Sequence, residues 1–364
     1  MKKRFSQKIV VATGGTGGHI FPAKALADYL VKNNFLINLV TDERGYRFLK
    51  NNLNYKIKII NSATIFKKNP IKIIFSIFKV IFSLINSYIF LKKIKPDMVF
   101  GMGGYSSFPI CIAAKYLKIP FIIYENNLII GKSNRYLLPY AKKLFVAYND
   151  LKGADVKYNN KIIQTGNIIR EKILNFKKNN LENVSKDLNI IILGGSQAAM
   201  SFALKLPKIF EKCKKEGINI NIYQQCLESQ KKFLEKKYSF LNINHEIFTF
   251  SNNLLEYFSK VDLAITRSGS SMMAELLNCQ IPIISIPLPS SADNHQYENA
   301  KLFEKRGYGY LIEECEIDLK LFQLIKSILD DKDLLNQMKL KQKKHSDKKV
   351  FEIIHNEMSK IINE

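Results

Sequence analysis

The first residues with chemistry in them are Gly14-Gly15-Thr16-Gly17-Gly18-His19. Glycine allows positive φ and lets the backbone approach a ligand closely, and the free N–H groups of a helix start attract an anion. A histidine at a helix start is held toward its neutral form by the positive end of the dipole, which suits a base or a hydrogen-bond donor. A second glycine loop, GMGGYSSFP (101–109), again ends an apolar run. Glu125, Asn126 and Asn127 follow a third run, where a carboxylate and two amides can reach the same crevice. His19 is the first candidate for a general base and Glu125 the second. Later in the chain, Gly194-Gly195-Ser196-Gln197 repeats the glycine turn, and Arg267 with the small-residue turn Gly269-Ser270-Ser271 precedes a helix carrying Met272 and Glu275. A carboxylate one or two turns inside such a helix can hold the vicinal hydroxyls of a ribose. Asp293, Asn294, His295, Gln296 and Asn299 crowd short polar groups into one loop, a density that suits a sugar.

The glycine run departs from the dinucleotide fingerprint, because Ile20 stands where its third glycine belongs. Asp42, after the second strand, stands where such a site carries its ribose-binding carboxylate. The close acidic pair Asp331-Lys332-Asp333 lies in a charged helical tail and reads as solvated, so neither a metal nor a cofactor is expected.

These residues need a scaffold, and the chain supplies it by alternating apolar strand-like runs with helix-like segments, the signature of an α/β fold with parallel sheets. Lys8–Ala12 reads as a buried strand, and Ala23, Leu26, Ala27 and Leu30 as the apolar face of the helix behind the glycines. The apolar strand, paired glycines and helix recur at 189–206, so two mononucleotide-binding-like halves are expected, divided between 166 and 188. A charged helical tail runs from about Leu319 to the end. The stretch 69–96 stands apart: Ile71, Phe75, Phe78, Phe82 and Ile85 share one helical face, ringed by Lys67, Lys68, Lys72, Lys79, Lys92 and Lys93. Its first reading is a mostly buried core helix. Its second is a helix with one face exposed and resting on an anionic membrane surface. A transmembrane helix would cut an α/β domain in two.

Of 364 residues 46% are hydrophobic, so sizeable cores are expected, and 56 Lys and Arg against 32 Asp and Glu leave a net charge of +24. Such a field favours anionic partners. The chain has no zinc-finger spacing, no RNP-like motif and no basic zipper, so nucleic acid is not expected among them. Five scattered cysteines without a CxxC suit a reducing compartment. The basic start has too short an apolar stretch for a signal peptide.

Taken together, TGGTGGHIFPA, GMGGYSSFP, YENNLIIGKSN, TGNIIR, LGGSQAA, TRSGSSMMAE and ADNHQYENA occur in the order seen in the MurG family of glycosyltransferases, which the chain resembles from its first strand to at least Ala300. The resemblance implies a GT-B fold, two Rossmann-like domains with parallel sheets facing across a cleft. The domains would be 1–167, acceptor- and membrane-facing, and 168–345, binding the UDP-sugar, with the helix in 346–364 packing back on the first. It implies an inverting transfer of N-acetylglucosamine from UDP-N-acetylglucosamine to the C4 hydroxyl of undecaprenyl-pyrophosphoryl-muramyl-pentapeptide, at the cytoplasmic face of the cell membrane. Thr16, Gly17 and Gly18 would touch the donor's sugar end. Asn127, Arg170, Ser196, Ser251, Gln296 and the segment Gly269, Ser270, Ser271, Met272 to Glu275 would be donor contacts, with Glu275 on the uridine ribose. The family commonly has threonine in place of Met272, glutamine in place of Asn126 and isoleucine in place of Ser251. Two other readings are a UDP-N-acetylglucosamine 2-epimerase on the same fold and a non-catalytic basic protein.

Overall fold

A computed structural model describes the chain apart from residues 1–6, 16, 51–53, 62–69, 178–186, 196–199, 250, 252, 332 and 364, and apart from the side chains of 70–74. Thr16, Ser196 and Gln197, the lysines 67 and 68, and the side chains of Ile71 and Lys72 therefore lie outside the described residues. Two compact units result, Met1–Arg170 with Asp347–Glu364, and Glu171–Ser346.

The first unit holds the strands β1 (Lys8–Ala12), β2 (Leu36–Thr41), β3 (Lys56–Ile59), β4 (Met98–Gly101), β5 (Phe121–Glu125), β6 (Lys143–Val146) and β7 (Ile162–Gln164). They form a seven-stranded sheet in the order β3-β2-β1-β4-β5-β6-β7, and every pairing is parallel. A parallel sheet covered on both faces demands continuous apolar strands; Ile9 to Ala12, Met98 to Phe100 and Phe121 to Tyr124 are all buried. Chain order reverses between β1 and β4, where Ala12 pairs with Gly101, so the loops after these two strands emerge side by side. The connecting helices are α1 (Gly17–Lys32), α2 (Glu43–Leu49), α3 (Pro70–Ile94), α4 (Phe108–Tyr116) and α5 (Lys132–Leu137). The expected apolar face of α1, Ala23, Leu26, Ala27 and Leu30, is fully buried.

The structure corrects the core-helix reading of 69–96. Phe75, Phe78 and Phe82 are 67%, 67% and 65% exposed, and Ile81, Ile85 and Ile89 are exposed with them. The side of α3 that packs inward instead carries Ser76, Ser83, Ser87 and Leu91, all buried. Small serines let the helix come close to its neighbours, and the Ser87 hydroxyl is satisfied by the Ser83 carbonyl at 2.6 Å. By length and composition Phe75–Ile94 could cross a bilayer. Its buried serine side, however, is part of the packing of the first unit.

The second unit has α6 (Glu171–Leu174), β8 (Leu188–Leu193), α7 (Met200–Lys215), β9 (Ile220–Gln225), α8 (Glu228–Phe240), β10 (Asn244–Phe248), α9 (Leu254–Lys260), β11 (Leu263–Thr266), α10 (Ser270–Asn278), β12 (Ile283–Ser285), α11 (His295–Lys305) and β13 (Gly309–Leu311). Its six-stranded sheet runs β10-β9-β8-β11-β12-β13, again parallel throughout, with the order reversing between β8 and β11. The core packs Ile190, Ile192, Leu263 and Ile265 against Phe202, Leu206 and Phe210 of α7; each such side chain contributes about 1.5–3 kcal/mol when fully buried. The edge strand β13 was not expected from the sequence, since its three residues are too short to show a period.

The expected helical tail consists of α12 (Phe322–Asp330), α13 (Asp333–Lys343) and α14 (Val350–Asn363). The last belongs to the first unit. There Phe351 stacks on Tyr29 of α1 with ring centroids 4.8 Å apart, and His355 meets Phe35 edge-on at 5.4 Å. Asp347 anchors the start of this segment, accepting from the backbone N–H of Asn167 at 2.9 Å and from its Nδ2 at 3.2 Å.

Candidate active site

In the first unit the reversal between β1 and β4 gathers the predicted residues. Crevices of this kind, beyond the carboxyl ends of the strands where the order reverses, are the ligand sites of open α/β sheets. The loop after β1 carries Gly17, Gly18 and His19 at the start of α1, and the loop after β4 carries Met102, Gly103 and Gly104. His19 lies between them. Its Nδ1 sits 3.1 Å from the Met102 carbonyl. A carbonyl can only accept, so this nitrogen carries the hydrogen and the basic lone pair belongs to Nε2. The His19 main chain is held as well, its carbonyl accepting from Thr13 Oγ1 at 3.1 Å. Gly103 and Gly104 have φ of +81° and +75°. A Cβ at these positions would stand 3.4 Å and 3.6 Å from the imidazole carbons.

Pro22 lies inside α1 and has no N–H to give the carbonyl four residues earlier, that of Gly18. Asn126 Nδ2 donates to that carbonyl at 3.2 Å. The third predicted group is thus tied to the first through the carbonyl to which Pro22 gives no N–H.

Glu125, the second candidate for the base, is held by donors from its own loop. Its Oε1 accepts from the N–H and the Nδ2 of Asn127, both at 3.1 Å, and its Oε2 accepts from Gly131 N–H and Asn134 Nδ2, both at 2.9 Å. These bonds tie the carboxylate to residues 127–134 and hold the shape of that loop. Asn127 is half-buried, and its side chain also donates to Asn126 Oδ1 at 3.0 Å.

Asp42 is not a ribose ligand in waiting. It caps α2 through Gly45 N–H at 2.9 Å, accepts from Gly15 N–H at 3.2 Å and from Ser106 Oγ at 3.1 Å, and pairs with Arg44 at 2.7 Å. Burial by itself would push its carboxyl up, but the hydrogen bonds from Gly45, Arg44 and Gly15 outweigh it and hold the group below the usual aspartate value. Ser106, Thr13 and Asn134 are site residues the sequence reading missed. Asn134 follows a visible pattern, nine residues after Glu125, but the pairing of Ser106 with Asp42 across 64 residues leaves no local signal.

In the second unit the reversal between β8 and β11 does the same for the other group. Gly194-Gly195 ends β8, with Gly195 at φ +78° in open space. Beside it, Thr266 Oγ1 donates to the Leu193 carbonyl at 3.1 Å, and α10 starts at Ser270 after Gly269. Ser270 is buried, Ser271 and Met272 are half-buried, and Glu275 lies one turn further in, 6% exposed. Gln296 stands in the first turn of α11, where its Oε1 accepts from Leu288 N–H at 2.9 Å. Asn299 ties the same helix to the turn through the Ser268 carbonyl at 3.2 Å. Ser251 lies beyond β10, its Oγ accepting from Asn253 N–H, just before α9, at 3.1 Å. Arg170 ends the first segment of the first unit and is half-buried.

Arg267 is a buried clamp. It donates to the carbonyls of Ile286 and Pro287 at 3.2 and 2.9 Å, to Ser201 Oγ at 2.9 Å and to Glu314 Oε2, while its guanidinium lies 4.7 Å from the Phe202 ring. Among the described residues no group of three His, Cys, Asp or Glu is arranged to hold a metal ion.

Comparison with known proteins agrees with this layout. Residues 9–146 match the model of the glycosyltransferase family 28 N-terminal domain, and 189–354 that of the family 28 C-terminal domain. The chain is 35% identical over 372 residues to the UDP-N-acetylglucosamine--N-acetylmuramyl-(pentapeptide) pyrophosphoryl-undecaprenol N-acetylglucosamine transferase of Pelagibacter ubique, with 99% of each chain covered. It is 35% identical over 345 residues to the Rickettsia felis protein of the same name, covering 92% of each. The crystal structure of Acinetobacter baumannii MurG superposes with a TM-score of 0.78 at 26% identity, covering 97% of this chain and 99% of that one. The GT-B class expected from the sequence stands, and the chain belongs to glycosyltransferase family 28 and, within it, to the MurG family of N-acetylglucosamine transferases.

Proposed function

We propose that this protein transfers N-acetylglucosamine from UDP-N-acetylglucosamine to the C4 hydroxyl of undecaprenyl-pyrophosphoryl-muramyl-pentapeptide, with inversion at the anomeric carbon. One observation carries the chemistry: His19, between two glycine loops, has Nδ1 directed to the Met102 carbonyl and so offers Nε2 as the base. In a member of this family, that is the group the attacking hydroxyl needs. The C4 oxygen attacks the anomeric carbon, its proton passes to His19 Nε2, and UDP leaves from the opposite face. Glu125 shapes the loop that carries Asn126 and Asn127.

In this reading the first unit takes the acceptor and the second the donor. Thr16, Gly17 and Gly18 meet the sugar end, and Asn127, Arg170, Ser196, Ser251 and Gln296 contact the donor. The amides of Gly194-Gly195 and of the α10 start, Gly269 to Met272, face the diphosphate, where fixed dipoles stabilise the charge that UDP gains on leaving. Glu275 takes the ribose hydroxyls; its burial on the first turns of α10 supports that role over a solvated one. No metal ion and no cofactor take part.

The exposed aromatic face of α3, with Lys79, Lys92 and Lys93 exposed around it, rests on the anionic cytoplasmic surface of the cell membrane and brings the unit to its lipid-linked acceptor. The protein is thus peripheral, and its basic charge serves the lipid surface rather than nucleic acid.

The test is transfer of labelled N-acetylglucosamine to the lipid acceptor in the presence of EDTA, for the wild type, His19→Ala and Glu275→Ala. Transfer by the wild type that is lost in both folded variants supports the reading. Formation of N-acetylmannosamine without transfer would replace it with a 2-epimerase, and retention on DNA without affinity for the nucleotide sugar would replace it with a basic binding protein.

A further inference from the structure

Asp42 holds together parts of the first unit that the chemistry needs and that the sequence keeps far apart. It is 5% exposed, and donors from three segments converge on it. Both its oxygens lie 3.2 Å from the N–H of Gly15 in the first glycine loop. Oδ1 also accepts from Gly45 N–H at 2.9 Å, and Oδ2 from Ser106 Oγ, just after the second glycine loop, at 3.1 Å. Arg44 closes the set at 2.7 and 3.1 Å. The loops meet at this point: a Cβ on Gly14 would collide with the Ser106 side chain, and one on Gly104 would stand 3.5 Å from the Gly14 carbonyl. His19 depends on both loops, through Thr13 on the first and Met102 on the second.

We propose that Asp42 is a positioning residue for glycosyl transfer: by bonding Gly15 and Ser106 at once, it locks the two glycine loops to each other and so sets where His19 is presented. The inference rests on the transferase reading of this site. Asp42 takes the Gly15 amide for itself, so that amide is a structural donor of the turn. Arg44 is largely exposed at the rim, and its pair with Asp42 contributes little beside the buried bonds.

Two variants separate this role from general stability. Asp42→Asn keeps the size and one acceptor, but its amide nitrogen cannot accept from Ser106. Ser106→Ala removes the link between the loops and leaves the other bonds of Asp42 in place. Each is measured in the full chain for kcat, for the KM of UDP-N-acetylglucosamine, for melting temperature, and for amide exchange in the segments 13–21 and 101–108. A base displaced by a fraction of an ångström to an ångström costs on the order of 10- to 100-fold in rate. The expected result is therefore a kcat loss of about 10-fold or more in both variants, with a donor KM changed less than about twofold. Exchange should be faster in both loops, and the double variant should be no slower than Asp42→Asn alone.

Unchanged kcat and unchanged loop exchange in folded Ser106→Ala would overturn the proposal, and so would a loss confined to KM. If Asp42→Asn does not fold, Ser106→Ala decides alone. Failure of the transferase reading would show separately, as absence of transfer by the wild type, and the exchange measurement would still report on the coupling of the loops.

Discussion

Asn126 donates its side-chain amide to the carbonyl of Gly18 across 108 residues of sequence, at 3.2 Å. That carbonyl is the one Pro22 leaves without its helical N–H. A position at the end of β5 thereby completes the first turn of α1, next to His19. Asn126→Ala is expected to cost about 1 kcal/mol of unfolding free energy by removing this bond. In a Pro22→Ala background, where residue 22 regains an N–H, the same substitution should cost less. Urea titrations of the four chains measure the difference.

The ionisation of Asp42 gives a pH dependence of known sign. Its folded-state value is lowered by the hydrogen bonds of Gly45, Arg44 and Gly15, acting against burial. A lowered carboxylate stabilises the fold fully above its unfolded value of about 3.9 and loses that contribution as the pH falls through the folded value. Wild-type stability should therefore fall between about pH 4 and lower pH by more than that of Asp42→Asn. Denaturant midpoints from neutral to acid pH compare the two slopes.

Phe78 and Phe82 are both about two-thirds exposed, at 67% and 65%. Changing them together to serine should leave the unfolding free energy within about 0.5 kcal/mol, as for ordinary surface sites. Binding to vesicles containing anionic lipid should drop sharply, while transfer to a detergent-solubilised acceptor persists. Unfolding of the double variant would return α3 to the role of a core helix. Co-sedimentation and a thermal melt are enough to decide.

Arg267 joins the carbonyl ends of β12 to Ser201 and Glu314 from a buried position. Arg267→Ala should destabilise the second unit by about 3 kcal/mol, since it strands buried acceptors and breaks a largely buried pair. The turn 267–271 carries the proposed diphosphate donors, so UDP affinity should weaken too, whereas the first unit's melting should be little changed. Calorimetric unfolding and UDP titration test both parts.

Several features of this protein were legible from the chain alone. Continuous apolar runs ending in glycine pairs announced two parallel α/β sheets, because a strand covered on both faces must be apolar at every position. The placement of His19, the second glycine loop and Glu275 at strand-to-helix turns was readable for a related reason. Glycine turns and helix starts are local, so their residue types declare where the chain turns. The ordered set of motifs added the family.

Other features were settled only by tertiary structure. Residue hydrophobicity suggested that the phenylalanines of α3 face inward, but the close packing available inside accepts Ser76, Ser83 and Ser87 and leaves Phe75, Phe78 and Phe82 outside. Asp42 resembled a ribose ligand in sequence, yet Gly15 and Ser106 claim it, and one of those partners is 64 residues away. Glu125 gave no hint in sequence of the four N–H donors that hold it. A carboxylate's role depends on which donors the fold brings to it, and hydrogen bonds between distant segments leave no periodicity for a sequence to display.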